Sequence, residues 1–232
     1  LHNESGHKHP HFKTEHEESD TVYLTVDELE RIFEFEISED AIKSYYPDIK
    51  SQNMSRKIEA LNTCRFRFLI GAFTMLRVSD YSRLTSVNVK ESLIRIKPKK
   101  RSKGRMNRDV VIPIHPIVRR IIESGFDMTK KVSEQKLNKH IKELCRMVWI
   151  DNDEVIVKTE KGKEVEMTYK KWELITSHTA RRSAATNMLM AGMEASDIMV
   201  LGGWSSEKSV WRYIRMEPEI NAKRLLQHPF FK

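Results

Sequence analysis

Two pairs of residues in the last third of the chain have the types and spacing for chemistry on an anion. His178 and Arg181 stand three apart in H-T-A-R-R-S-A-A-T, and Tyr213 follows Trp204 by nine residues in G-G-W-S-S-E-K-S-V-W-R-Y. A helix is expected from His178 to Ala191, with Gly192 as its left-handed cap. Residues i and i+3 share a helix face, so an imidazole and a guanidinium should meet at the first turn. A helix N-terminus adds unpaired amides and a positive dipole end, and together these make an anion site. The same residues also fit blander roles: a histidine and an arginine that decorate a helix start, and a tyrosine that packs.

Two further groups of cations must be brought to that site. Arg77 follows a long helix expected from about Asn53 to Met75, whose Ile58, Leu61, Phe68, Leu69, Ala72, Phe73 and Leu76 recur at helical spacing as a core-facing stripe. Ser79 or Asp80 is expected to cap a new helix carrying Tyr81 and Leu84, which puts Arg77 at a rigid junction. The strand-like runs Leu93–Lys97 and Val110–Ile114 flank K-P-K-K-R-S-K-G-R-M-N-R. A hairpin tip should therefore carry Lys99, Lys100, Arg101, Lys103, Arg105 and Arg108. Like charges so close repel one another without a counter-anion, which points to phosphate; a solvated loop is the other reading.

The remaining elements position these groups. Thr25 and Glu28 form a capping box for a helix that turns Leu29, Ile32 and Phe33 inward, and a loop through Tyr46-Pro47 comes next. Further helices are expected over Pro116–Glu123 and Glu134–Ile150, the second with Leu137, Ile141, Leu144, Cys145 and Val148 at helical spacing. A second hairpin spans Val155–Thr168 and turns at Lys161-Gly162-Lys163. Ser196 should cap a short helix that Gly202-Gly203 end, and Ser205 or Ser206 a helix carrying Tyr213. The fold class is mainly α with small antiparallel β-hairpins (α+β), in one domain without a breaker-rich linker.

Composition sets limits. The 232 residues are 39% hydrophobic and 32% charged, which suits a soluble globular chain rather than a disordered one. A net charge of +8 suggests a polyanionic partner. No apolar run approaches the roughly 20 residues that cross a membrane, and the polar start is no signal peptide. Cys64 and Cys145 lack CxxC spacing, which argues for a reducing compartment and against a disulfide framework or zinc site. Residues 1–21 read as a His-rich flexible tail or linker, although H-K-H-P-H also allows a metal reading. A start at Leu1 suggests a piece of a longer protein. A non-enzymatic helix-turn-helix module is a rival, but its second helix, S-D-I-M-V-L, has no side chains that read bases.

Taken in order, the motifs resemble the catalytic domain of the tyrosine recombinases, the phage-type integrases. Arg77-Val78-Ser79-Asp80, the lysine hairpin, His178-Thr179-Ala180-Arg181, Gly203-Trp204 and Tyr213 match the family pattern over roughly residues 22–215. The H-T-A-R-R-S wording and the second hairpin are similar to integrases of bacterial mobile elements. Met75 departs from the glycine common in the family, Trp204 replaces the usual histidine, and the longer hairpin leaves Lys100 and Lys103 as alternatives for its lysine.

The resemblance implies the tyrosine recombinase catalytic fold over 22–216. It implies a tail helix over 217–232 that docks on a neighbouring protomer or on its own domain, and an N-terminal core-binding domain absent from this chain. It implies that Tyr213 attacks a DNA phosphodiester to give a 3′-phosphotyrosine. Arg77 and Arg181 would bind the phosphate, His178 would accept the phenol proton, and Lys100 would protonate the leaving 5′-oxygen. Trp204 would donate a hydrogen bond and pack behind Tyr213. Lys99, Arg101, Lys103, Arg105 and Arg182 would contact DNA. No metal or other cofactor is implied. The implied partners are double-stranded DNA and other protomers in a DNA-bound tetramer, at the bacterial nucleoid in the cytoplasm. Relaxation of supercoils by a type IB topoisomerase uses the same chemistry and is an alternative.

Overall fold

The computed structural model describes residues 22–99, 109–160, 163–215, 221–222, 225–226 and 229–231. Helix α1 (Val26–Glu34) begins at the expected capping box. Thr25 Oγ1 accepts the Glu28 amide, and the Glu28 carboxylate accepts the Thr25 amide at 2.8 Å. Leu29 and Ile32 are fully buried. Helix α2 (Glu39–Tyr45), capped by Ser38, lies where only a loop is expected. It is too short for periodicity to register and buries a single side chain, Ile42.

Helix α3 (Ser51–Thr74) runs through the middle of the domain and packs against helices from both halves of the chain. The expected apolar stripe understates its burial. Between Thr63 and Ala72 every residue but Phe66 is buried, and the enclosed residues include Arg65 and Arg67. Burying a guanidinium is costly unless donors are met; in both residues the terminal nitrogens are, while Nε is buried without a partner. Arg67 donates to the carbonyls of Tyr81 and Lys130, both at 2.9 Å, and to that of Met128. Arg65 reaches the Phe35 carbonyl and the Asn62 side chain. Burial pushes the Arg65 guanidinium down to about 10.

Helix α4 (Val78–Tyr81) comes next, and then a three-stranded antiparallel sheet of β1 (Val89–Lys90), β2 (Leu93–Ile96) and β3 (Val110–Pro113) in that order. The register pairs Ile94 with Ile112 and Ile96 with Val110, which turns the buried residues of both strands to one face. The two-residue β1 escapes a period-2 pattern altogether. Helix α5 spans Pro116–Glu123, as expected.

Helix α6 (Glu134–Met147) stops short of the expected Ile150. Trp149 takes the left-handed conformation at φ 58°, and the Ile150 amide closes on the Cys145 carbonyl at 2.9 Å. That turn brings Ile150 back into the core and leads into β4 (Asp153–Glu160) and β5 (Lys163–Lys170). Of the hairpin turn expected at Lys161-Gly162-Lys163, residues 161–162 lie outside the described residues and Lys163 already belongs to β5. Helix α7 (Lys171–Leu174) returns the chain to α1, where the Lys171 ammonium bonds both Glu28 carboxylate oxygens at 2.8 Å.

Helices α8 (Ser177–Met190), α9 (Ala195–Leu201) and α10 (Glu207–Trp211) complete the domain. Gly192 stands at φ 91° after α8. Two expectations need correction here. Glu194, not Ser196, occupies the cap position of α9, without a side-chain bond. Tyr213 is not on α10; the helix ends at Trp211, and Tyr213 sits in the next turn with its amide on the Val210 carbonyl at 2.8 Å. The main core gathers under α3, and a second cluster of Met75, Ala184, Ala185, Leu189, Ile198, Trp204, Val210 and Ile214 joins the end of α3 to α8–α10. Both cysteines are free and buried, and burial raises both thiols. Among the described residues no helix is long and apolar enough to cross a membrane.

Candidate active site

The site begins where α3 ends. Met75 caps α3 at φ 58°, a region that suits the glycine common in the family pattern. A bulky residue there costs on the order of 1 kcal/mol. Met75 is fully buried against the second cluster, and burying such a side chain recovers roughly 2 kcal/mol. The left-handed turn aims the next residues away from the α3 axis. Arg77, half-buried, becomes the cap residue of α4, so neither Ser79 nor Asp80 is the cap. Asp80 instead is buried, accepts the Lys99 amide at 2.8 Å and pairs with Arg83 at 3.0 Å. It thereby pins the start of the lysine loop three residues beyond Arg77. Lys99 itself is exposed; Lys100, Arg101, Lys103 and Arg105, like Arg108, lie outside the described residues.

The start of α8 is not the open nest of amides expected. The Ser177 amide donates to Asn138 Oδ1 at 2.7 Å, and the Ser177 hydroxyl bonds Glu134. Thr176 and Thr179 cap each other, with the Thr176 amide on Thr179 Oγ1 at 3.0 Å. These bonds consume donors that would have bound an anion, and they seat α8 on α6. The first turn then divides its two functional side chains. His178 is exposed, while Arg181 is 3% exposed.

Arg181 reaches inward as a brace. Nη1 donates to the Met75 carbonyl and Nη2 to the Gly202 carbonyl, both at 2.6 Å. Its guanidinium lies 4.2 Å from the centre of the Trp204 ring and 5.5 Å from that of Tyr213. Burial, and then the neighbouring Arg77 cation, push Arg181 down to about 10, while Tyr213 and Asp80 oppose the shift. Arg77 and Arg181 are thus close enough to repel each other.

Gly202 and Gly203 are needed for the turn that leads to Trp204. A Cβ on Gly202 would stand 2.4 Å from the Trp204 ring, and Gly203 holds φ 64°. Trp204 can therefore fold back and bury, its ring 4.9 Å from that of Tyr213 at an interplanar angle of 44°. The packing expected of this pair is present. Behind Tyr213, Thr186 is fully buried on α8. Its Oγ1 accepts the Arg215 amide at 3.1 Å and lies 3.5 Å from the Tyr213 carbonyl.

In front of Tyr213 a cavity of about 430 Å³ is lined by His178, Arg182, Trp204, Ser209, Arg212 and Tyr213. Ser209 and Arg212 are not among the residues expected from the motifs, although positions 209, 212 and 213 share a face at helical spacing. Arg182 is pushed down to about 10 by burial and by Arg215. The Nε donors of Arg181, Arg182 and Arg215 are buried without a partner. Among the described residues, Arg77, Arg181, Arg182, Arg212 and Arg215 form no salt bridge, whereas Arg83, Arg95 and Arg120 elsewhere each have a carboxylate. The cleft therefore concentrates uncompensated positive charge around one phenol and one imidazole.

The fold is similar to that of solved recombinases. A structure of XerA recombinase superposes with a TM-score of 0.57 at 18% identity, covering 90% of this chain and 64% of that one. XerH site-specific recombinase bound to a palindromic difH substrate gives 0.52 at 12% identity, covering 88% and 52%. The Tn1549 transposon integrase in complex with transposon right end DNA gives 0.50 at 14% identity, covering 90% and 66%. The chain thus spans about two thirds or less of these proteins. No curated protein sequence matches it at a significant level. The phage integrase family model matches residues 23–219, the stretch that carries every element of this cleft, and so the chain belongs to the phage integrase family, the tyrosine recombinases.

Proposed function

We propose that the chain is the catalytic part of a site-specific DNA recombinase whose nucleophile is Tyr213. The observation that carries this reading is the placing of Tyr213 at a cleft of unpaired arginines, against Trp204 and beside His178. A phosphodiester brings the missing negative charge. Its attack by a phenol builds more of it, which guanidinium forks stabilise without a metal.

In the proposed reaction the Tyr213 oxygen bonds to phosphorus and the bond to the 5′-oxygen breaks. His178 accepts the phenol proton, and the hairpin lysine, Lys100 or else Lys103, donates one to the leaving oxygen. Arg77 and Arg181 hold the non-bridging oxygens, with Trp204 packed behind the phenol. The 3′-phosphotyrosine conserves the bond energy, so a 5′-hydroxyl from a second duplex reseals the strand without a nucleotide cofactor. Lys99, Arg101, Lys103, Arg105 and Arg182 contact the backbone nearby.

The solved XerH and Tn1549 integrase complexes contain DNA, which supports double-stranded DNA as the partner here. Exchange between two duplexes requires a tetramer of protomers. The exposed Leu226 and Phe231 of the tail suit a contact between neighbours. The reaction belongs where the DNA is, on the nucleoid in the bacterial cytoplasm.

The test is a nicked suicide duplex carrying the cognate site, mixed with the complete protein. An SDS-resistant protein–DNA band is expected, and Tyr213→Phe should abolish it. A band that persists in the variant rejects Tyr213 as nucleophile; no band with cognate DNA rejects the reading.

A further inference from the structure

The arginines that face the open cavity are not the pair assigned to the scissile phosphate. Arg181 is buried against the Trp204 ring, with one donor on each terminal nitrogen already given to a carbonyl. The cavity wall beside Tyr213 is instead made by Arg182 and Arg212, together with Ser209 and His178. Resting on the reading of Tyr213 as nucleophile, we infer that Arg182, Arg212 and Ser209 form a second phosphate subsite, which binds the DNA phosphate next to the one that is cleaved.

Three observations support this. First, Arg182 has donors to spare. Among the described residues its hydrogen bonding is limited to one long contact, from Nη1 to the Val22 carbonyl at 3.3 Å, and its Nε is buried without a partner. The remaining donors on its terminal nitrogens can therefore take an oxygen anion without giving up an internal bond. Second, Arg182 and Arg215 lie close enough to repel, and among the described residues no carboxylate pairs with either. An anion entering the cavity removes that repulsion. Third, the groups come from two elements. Arg182 is on α8 and Ser209 on α10, with Arg212 at its end, so an anion bound between them spans the gap and fixes α10 together with the turn that holds Tyr213.

The dimensions fit. Successive phosphates along a strand are roughly as far apart as two residues of extended chain. A cavity of about 430 Å³ open beside Tyr213 leaves room for the sugar and phosphate next to the reacting one. The work of the cleft is then divided. Arg77 and Arg181 act on the phosphate that changes, and Arg182 and Arg212 hold the adjacent one so that attack is aligned.

The experiment combines protein and substrate changes in the complete protein. Suicide duplexes carry one neutral methylphosphonate at each phosphate flanking the cleavage position, and single-turnover cleavage is measured with wild type, Arg182→Gln and Arg212→Gln. With wild type, one flanking methylphosphonate should slow cleavage by on the order of tenfold. Each variant should lose a similar factor on the unmodified duplex and lose nothing further when the neutral linkage is at that position. Multiplicative losses at every position overturn the subsite. So does a wild-type rate indifferent to all flanking linkages. If Arg182→Gln fails to fold, the exposed Arg212 carries the same test. Absence of any covalent band with wild type on unmodified DNA rejects the recombinase reading itself, a different failure from losses that multiply.

Discussion

The guanidinium of Arg181 lies 4.2 Å over the indole of Trp204 while both of its terminal nitrogens hold backbone carbonyls at 2.6 Å. One side chain therefore braces the end of α3, the first turn of α8 and the Gly202 turn. Lysine has no fork to reach two carbonyls and a ring at once. Arg181→Lys is expected to destabilise the domain by about 2 kcal/mol or more, read from the urea midpoint, because buried acceptors lose their partner. The covalent band should disappear even at saturating DNA. A variant with normal stability and cleavage contradicts the brace.

Gly202 lets the indole close over the turn. In Gly202→Ala the new methyl would meet the Trp204 ring at 2.4 Å and the Met75 methyl at 3.1 Å. Neither is free to move far in the second cluster, so overpacking of about 1–3 kcal/mol is expected. The ring should leave Tyr213, and cleavage should slow at least tenfold while DNA affinity holds. Tryptophan fluorescence reports the displacement, and an unchanged spectrum with unchanged cleavage argues against it.

Thr186 holds the chain on either side of Ile214 through Arg215 and Tyr213. Valine keeps its shape and removes the hydroxyl. Thr186→Val should cost about 1 kcal/mol of stability and slow cleavage more than it weakens DNA binding. Thr186→Ser should restore the cleavage rate. Equal rates for the two variants would show that the hydroxyl has no part in presenting Tyr213.

The pH dependence of stability has a specific source in His115. Its Nδ1 accepts the Ile117 amide at 3.2 Å as the cap of α5, and its ring stacks on Phe73 with centroids 4.1 Å apart. Burial lowers its pKa, with Glu30 opposing. His140, on α6, is lowered in the same way by burial, against its bond to the Lys136 carbonyl. A histidine lowered on folding takes up its proton first in the unfolded chain. Stability is therefore lost as pH falls through the ordinary histidine value of about 6.5. The melting temperature should drop between about pH 7 and 5.5, and His115→Asn, which keeps a cap without a titrating group, should flatten that drop. An identical acid limb in the variant assigns the loss elsewhere.

The long and strongly patterned elements were legible in the sequence. The Thr25–Glu28 capping box, α3, α5 and the Gly192 end of α8 lie where composition and period put them. Short pieces were not, because α2 and β1 hold too few residues for a period to show. The site was legible as an ordered set of motifs, but not in its geometry. An i and i+3 pair predicts a shared face, yet whether that face meets solvent or a neighbouring turn depends on packing from Met75 and Gly202, both distant in the chain. That is why His178 and Arg181 part company. Ser209 and Arg212 stood in helical register with Tyr213, and the register alone could have identified them. Thr186 gave no such signal, since a buried threonine in a helix looks like any other small core residue.

The carbonyls that Arg181 binds lie 106 residues before it and 21 residues after it. During synthesis on the ribosome, every arginine up to Arg182 has emerged before the Gly202 turn exists to close over them, and Tyr213 comes later still. A nascent chain, or one cut short by a premature stop before that turn, therefore holds basic side chains but no assembled cleft and no Tyr213. The cleavage proposed for Tyr213 is in this way unavailable until α9, α10 and the turn after them have been made, with no inhibitor required to keep it so.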